Sequence, residues 1–230
     1  MVSIKAETFL SAQEREEVRS ALAEAELRTC GEIVPVIASA SGRYDRAEDF
    51  FGLLSGLIMM TLVWIFFHDA SPQVGDWSWS ARFMAGLTPL IVSVLLGFIL
   101  GSALATRIPV LRLPFVPKRE MEEEVERRAA ECFYRFEIGN TLHSTGVLIY
   151  ISLYERMVVV KGDSAINAKL SQTEWNQVCG AVIAGIGKGK PADALISGIR
   201  KAGDLLALHF PCVGENENEL PNEVRTIEWE

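Results

Sequence analysis

The chain has 230 residues, 49% of them hydrophobic, and a formal net charge of −8. That length holds roughly one domain beside a membrane segment, and the lack of a basic stripe with interleaved aromatics excludes nucleic acid as a partner. Much of the acidic excess lies beyond Pro211, so residues 213–230 are expected to form an acidic flexible tail.

From the N-terminus, residues 1–20 carry Lys5, Glu7, Glu14, Arg15, Glu16, Glu17 and Arg19 without an apolar stretch, so no secretory signal is expected. Ser11-Ala-Gln-Glu14 has the capping-box spacing that opens a helix, here over about 12–28, with Val18, Leu22, Ala25 and Leu27 on its apolar face. Thr29-Cys-Gly31 ends it. Residues 32–38, EIVPVIA, predict a strand, and Pro35 within it predicts a place near an edge or a bulge.

Residues 50–67 and 83–105 contain no charged side chain, and neither segment has a polar face. At about 1.5 Å per residue each is long enough to cross a hydrocarbon core of about 30 Å. They predict two transmembrane helices joined by a short external loop, 68–82. That loop holds one arginine and no lysine. Arg43 and Arg46 flank one outer side, and Arg107, Arg112, Lys118 and Arg119 the other. The positive-inside rule then places both termini in the cytoplasm, with Trp64, Trp77 and Trp79 at the outer interface. Pro89 is a candidate kink. Gly52-x-x-x-Gly56 and Gly97-x-x-x-Gly101 fall at matching depth in antiparallel helices, which suggests close helix packing. Pro109, Pro114 and Pro117 argue against a regular helix in 106–117, read instead as a linker at the inner headgroup layer.

A charged helix follows over about 118–137, with Met121, Val125, Ala129, Cys132, Phe133 and Phe136 at helical spacing. Residues 146–153 form an apolar strand, Tyr154-Glu-Arg156 a tight turn, and residues 157–161 the returning strand. A second capping box, Ser171-Gln-Thr-Glu174, opens a helix to about Ile186, and a last helix covers about 192–209. Two strands enclosing a helix should be parallel. The expected fold is α/β: a three-layer α/β/α sandwich with a small mixed sheet, interrupted by the transmembrane hairpin. Residues 1–42 and 118–212 should form one discontinuous domain.

The chemistry-bearing residues are sparse. Cys30, Cys132, Cys179 and Cys212 form no C-x-x-C pair and suit buried thiols in a reducing compartment. His68, His143 and His209 share no ligand spacing. No Asp is placed beside His143 and Ser144 to complete a triad. Gly185-Ile-Gly-Lys-Gly-Lys190 follows a helix rather than a strand, so a turn is favoured over a phosphate loop. The remaining candidates are Glu155 in the hairpin turn and Asp163 after the next strand. Loop carboxylates of this kind can ligate Ca2+ or Mg2+, although Asp and Gly also serve ordinary turns.

TCGEIVPVI at 29–37, TGVLIYISLYERMVVV at 145–160 and the helix pair ending in His209-Phe-Pro211 resemble the TPM domain, and NELP at 218–221 resembles a membrane-anchored bacterial-type subgroup. The resemblance covers the soluble part of the chain in order. It implies a range of roles. Some chloroplast members are linked to photosystem II repair and reported as phosphatases, a nematode relative is an auxiliary channel subunit, and some members bind a divalent cation. Bacterial relatives are often encoded beside LemA-type membrane proteins. The resemblance directs cation or phosphate binding to the Glu155–Asp163 region. Members typically hold the domain on the far side of the membrane behind a signal peptide, whereas the charges here place it inside. The expectation is an interaction module anchored in the plasma (inner) membrane, facing the cytoplasm. Its partners would be the lipid bilayer and another membrane protein, LemA-type by resemblance, whose assembly, repair or regulation it assists. The alternative is a weak divalent-metal-assisted phosphatase, a phosphoric ester hydrolase.

Overall fold

The computed structural model describes residues 5–67, 79–212 and 218–228, without the side chains of Phe67 and residues 79–85. Residues 68–78 of the expected external loop, Trp77 among them, and the Trp79 side chain thus lie outside the described residues, while residues 79–82 begin a helix. The chain divides into two compact units, residues 43–118 and residues 4–42 with 119–230.

The first unit is a helical hairpin. Helix α2 spans Asp45–Phe67 and α3 spans Trp79–Arg107, which runs on through Pro89 as one helix. The two helices pack along a seam of small residues. A Cβ added at Gly97 would lie 2.8 Å from the Cα of Gly56 and 2.9 Å from the carbonyl of Ser55. One added at Gly56 would lie 2.9 Å from the Val94 carbonyl, and one at Gly101 2.5 Å from Cβ of Ser55. Gly52 meets Ser102 and the Phe98 carbonyl in the same way. Hydrogen at these four positions is what lets the backbones approach. At the root of the hairpin, Glu48 takes Arg112 in an ion pair at 2.8 Å and the Thr106 hydroxyl at 2.7 Å. Residues 106–117 differ from the irregular linker expected of them. Pro109–Phe115 winds into a 3₁₀ helix that folds back on the hairpin, because Pro109 fits an N-terminal helical position and Arg112 donates to the Ala105 carbonyl at 2.9 Å. The Phe115 ring meets Phe51 edge-on at 6.1 Å.

The second unit is built on a four-stranded sheet. Helix α1, Ala12–Glu26, starts at the capping box, where Ser11 and Glu14 each bond the other's backbone amide. Strand β1 is Glu32–Ala38. After the hairpin, α4 covers Lys118–Arg135, β2 Gly146–Ser152 and β3 Met157–Gly162. The short α5, Ser164–Asn167, precedes α6, Gln172–Gly187, and α7, Pro191–His209. A last strand, β4, is Arg225–Ile227, and the sheet order is β3-β2-β1-β4. β1 pairs parallel with β2, from Glu32 opposite Gly146 to Ala38 opposite Ser152, while β2 and β3 are antiparallel.

Alternation along the strands fills two cores. Ile33, Ile37, Val147, Ile149 and Ile151 pack with Leu22 of α1, Trp175 and Val178 of α6, and Leu195, Ile199 and Leu206 of α7. Val34, Val36, Leu148 and Tyr150 pack with Val125, Ala129 and Cys132 of α4. Helices therefore cover both faces, the three-layer arrangement that nearly continuous apolar strands require.

Two features correct the sequence reading. Residues 218–228 do not belong to a flexible tail. β4 pairs with Val36–Ala38, Leu220 and Ile227 join the second core, and the Arg225 guanidinium sits 4.5 Å above the Phe136 ring. These few apolar contacts tie down a segment whose composition is otherwise that of a solvated tail. Pro35, in turn, lies in an interior strand. Amides of a strand point alternately to either side; those of Ile33 and Ser39 turn away from β2, towards Glu26 and Ile227. Pro35 shares their parity, and β4 pairs only from Val36 onward, so the missing N–H falls where the strand has no neighbour.

The seam predicts the effect of bulk. Gly97→Leu should force the helices apart, at a cost of about 1–3 kcal/mol typical of overpacking. In a chain with its native cysteines replaced by serine, Gly52→Cys with Ser102→Cys should form an intrachain disulfide that the added Gly97→Leu abolishes. Crosslinks that form only between chains would show the seam to be an oligomer contact.

Candidate functional site

Parallel strands leave their carboxyl ends free to build sites, and polar side chains gather there. After β1 the chain reads Ser39-Ala-Ser41-Gly42. The Ser41 hydroxyl bonds the Tyr150 hydroxyl at 2.9 Å and the Ser152 hydroxyl at 2.8 Å. Glu155 reaches in from the β2–β3 turn, which Arg156 closes with φ 57°. Its Oε1 accepts the amides of Ser41, 2.8 Å, and Gly42, 3.2 Å, and its Oε2 accepts the Ser152 hydroxyl. Burial holds the Tyr150 phenol above its ordinary pKa, against the opposing hydrogen bond from Ser41. Both oxygens of Glu155 are thus engaged in fastening the exit of β1 to the hairpin turn.

Asp163 lies elsewhere. It is the N-cap of α5, with Oδ1 accepting the Ser164 amide at 2.5 Å, and its Oδ2 is buried without a hydrogen-bond partner. Residues 157–162 of β3 separate it from Glu155, about 20 Å of extended chain at about 3.3 Å per residue. The fold does not bring these two carboxylates together. Among the described residues no group of three or more His, Cys, Asp or Glu is arranged to hold a metal ion.

The opposite end of β1 holds a feature the sequence reading missed. Glu26, in the last turn of α1, and Glu32, the first residue of β1, are 5% and 1% exposed. Glu26 Oε1 accepts the Ile33 amide at 3.0 Å, on the side of β1 that β4 leaves uncovered. Glu32 Oε1 accepts the Glu219 amide at 3.4 Å, and Asn222 hydrogen-bonds Glu26, so the two carboxyls receive the start of the C-terminal strap. One oxygen of each, with Oδ1 of Asn222, has no hydrogen-bond partner among the described residues. Burial pushes the Glu26 carboxyl up to about 8; the Ile33 amide opposes this and the nearby Glu32 charge adds to it. Glu32 is raised as well, again by burial, against the amides of Glu219 and Leu220. The one signal in the sequence was a glutamate opening a strand that is otherwise wholly apolar.

Residues 111–205 match the family model described as the TPM domain. The fold is similar to the NMR structure of the BA42 protein from the psychrophilic bacterium Bizionia argentinensis, at 21% identity and a TM-score of 0.57, covering 96% of this chain and 98% of that one. None of the curated proteins matches. The chain carries a TPM domain. The matched stretch omits α1 and β1, which complete the same sheet and its first core.

The buried pair sets a pH dependence. The folded pKa of Glu26 lies above its ordinary 4.5, so the unfolded chain ionises first as pH rises. Stability present below pH 4.5 is lost up to about pH 8, by on the order of a few kcal/mol. Glu26→Gln keeps an acceptor for Ile33 and should flatten the fall. Thermal midpoints of the detergent-solubilised protein between pH 5 and 8.5, in chelator, test this; equal slopes for both proteins would exclude a protonated Glu26.

Proposed function

We propose that this chain holds its TPM domain at the cytoplasmic face of a plasma (inner) membrane and docks it onto another membrane protein, whose assembly, repair or regulation it assists. The observation that carries the reading is the apolar hairpin. The candidate spans Asp45–Phe66 and Gly86–Arg107 are each 22 residues long, about 33 Å as helix, and only 11% and 17% of their most apolar 18-residue stretches are buried. Leu53, Leu57, Ile58, Leu95, Ile99 and Leu100 are all exposed. Lipid is the solvent that tolerates such a surface, since water does not for a pair of this size. The excess of Arg and Lys on the flanks over the loop supports cytoplasmic termini.

A docking role is supported by large apolar side chains exposed on the domain: Tyr134 at 82%, Leu142 at 81% and Leu208 at 74%. At the carboxyl end of β1 the side chains bond to one another, which suits a structural tie more than a reaction centre.

Membrane fractions washed at alkaline pH should retain the full chain and release one whose residues 43–118 are replaced by a Gly/Ser linker. Recovery of the full chain as soluble protein would defeat the anchor. In intact cells, a membrane-impermeant maleimide should label Ser78→Cys and spare Asn216→Cys; labelling at 216 would reverse the orientation. Photo-crosslinkers at Tyr134 or Leu142 should capture an integral membrane protein, and the capture should fail with the linker variant.

A further inference from the structure

Cys30 and Cys212 lie far apart in the sequence and side by side in the fold. Thr29 and Pro211 form an antiparallel bridge just after α7. The Cys30 amide donates to the Phe210 carbonyl at 3.1 Å, and the Thr29 hydroxyl to the same oxygen at 2.8 Å. In that register Cys30 faces Phe210, and Cys212, two residues further along, lies on the same side of the ladder as the diagonal neighbour. The Cys30 thiol points along this diagonal, with Sγ 3.8 Å from the Pro211 carbonyl, one peptide bond from Cys212. The two thiols are hydrogen-bonded to each other. Both residues are half-buried rather than enclosed, unlike Cys132, which α4 holds 1% exposed in the second core.

We propose that Cys30 and Cys212 are a redox-modifiable dithiol, closed to an intramolecular disulfide by exchange with a low-molecular-weight disulfide. One thiolate attacks a sulfur of the reagent R–S–S–R and expels one RS⁻, leaving a mixed disulfide on the protein. The second thiolate attacks the protein sulfur of that bond and expels the second RS⁻. One protein S–S bond replaces two S–H bonds, and the reagent leaves as two RSH carrying both protons. The second step is favoured because the backbone ladder already holds the attacking sulfur beside its target. The bond would join the start of β1 to the end of α7, ahead of the strap that Glu26 and Glu32 receive. A reducing compartment keeps the pair open, and an oxidising one closes it.

The test uses the full chain in detergent or nanodiscs with oxidised glutathione, quenched by alkylation and mapped as non-reduced peptides. Alkylation of Cys132 only after denaturation serves as the control for an intact fold. The expected result is a peptide pair linked through Cys30 and Cys212 that dithiothreitol removes. The link should be lost in Cys30→Ser and in Cys212→Ser, with stable glutathione left on the remaining thiol. Separate glutathionylation of both cysteines in the unmutated chain, without the link, would overturn the proposal. So would a link found only between two copies of the chain.

Discussion

The parallel pairing of β1 with β2 is the constraint on which the rest of the molecule depends. It joins residues on either side of 39–145, and both cores are built on its two faces. A parallel pair always needs a crossover, normally one helix long. Here the crossover carries the apolar helical hairpin as well as α4. The entropic cost of that length is modest, since doubling a loop adds only about 0.6 kcal/mol. It is smaller still when the inserted segment folds on itself. Glu48 near the start of α2 meets Arg112 and Thr106 beyond the seam, so the hairpin returns the chain to the place where it left.

Both ends of β1 are fastened by carboxyl groups, under different electrostatic conditions. Glu155 accepts the Ser41 and Gly42 amides on one oxygen and the Ser152 hydroxyl on the other. Glu26 and Glu32 lie close together, and one oxygen of each has no hydrogen-bond partner among the described residues. Two such groups resist simultaneous ionisation, so a proton is retained at this end. Their acceptance of Ile33, Glu219 and Asn222 couples that proton to the C-terminal strap. The strap also closes the carboxyl end, where Glu228 accepts the Glu7 amide at 2.8 Å and the Ser39 hydroxyl at 2.5 Å.

The elements legible in the sequence were those whose burial imposes a period. The strand at 32–38, the hairpin around Tyr154–Arg156 and the helices opened at Ser11 and Ser171 all have a repeating apolar pattern or a cap that fixes their start. β4 has neither. Its three residues are a strand only because Val36–Ala38 offer an open edge, information held at the other end of the chain. The same reason hid Glu26 and Glu32, since a lone glutamate in a helical turn usually faces water and only the packed strap makes it a buried acid. Glu155 was singled out for its loop position, yet the amides that occupy it come from residues 41 and 42, a contact no local pattern encodes.

The glycine seam gives the hairpin its part in this architecture. Gly52, Gly56, Gly97 and Gly101 all lie in the half nearest the chain's exit and return, and Ser55 and Ser102 extend the row of small residues between them. Ser55 and Ser102 direct their hydroxyls to the carbonyls of Phe51 and Glu48, so neither adds an unsatisfied polar group to an apolar surface. The Glu48–Arg112 pair, at 20% and 13% side-chain exposure, closes the same end with opposite charges. Close packing at the root therefore brings the two ends of the hairpin together within the hairpin itself, at Glu48 and Arg112.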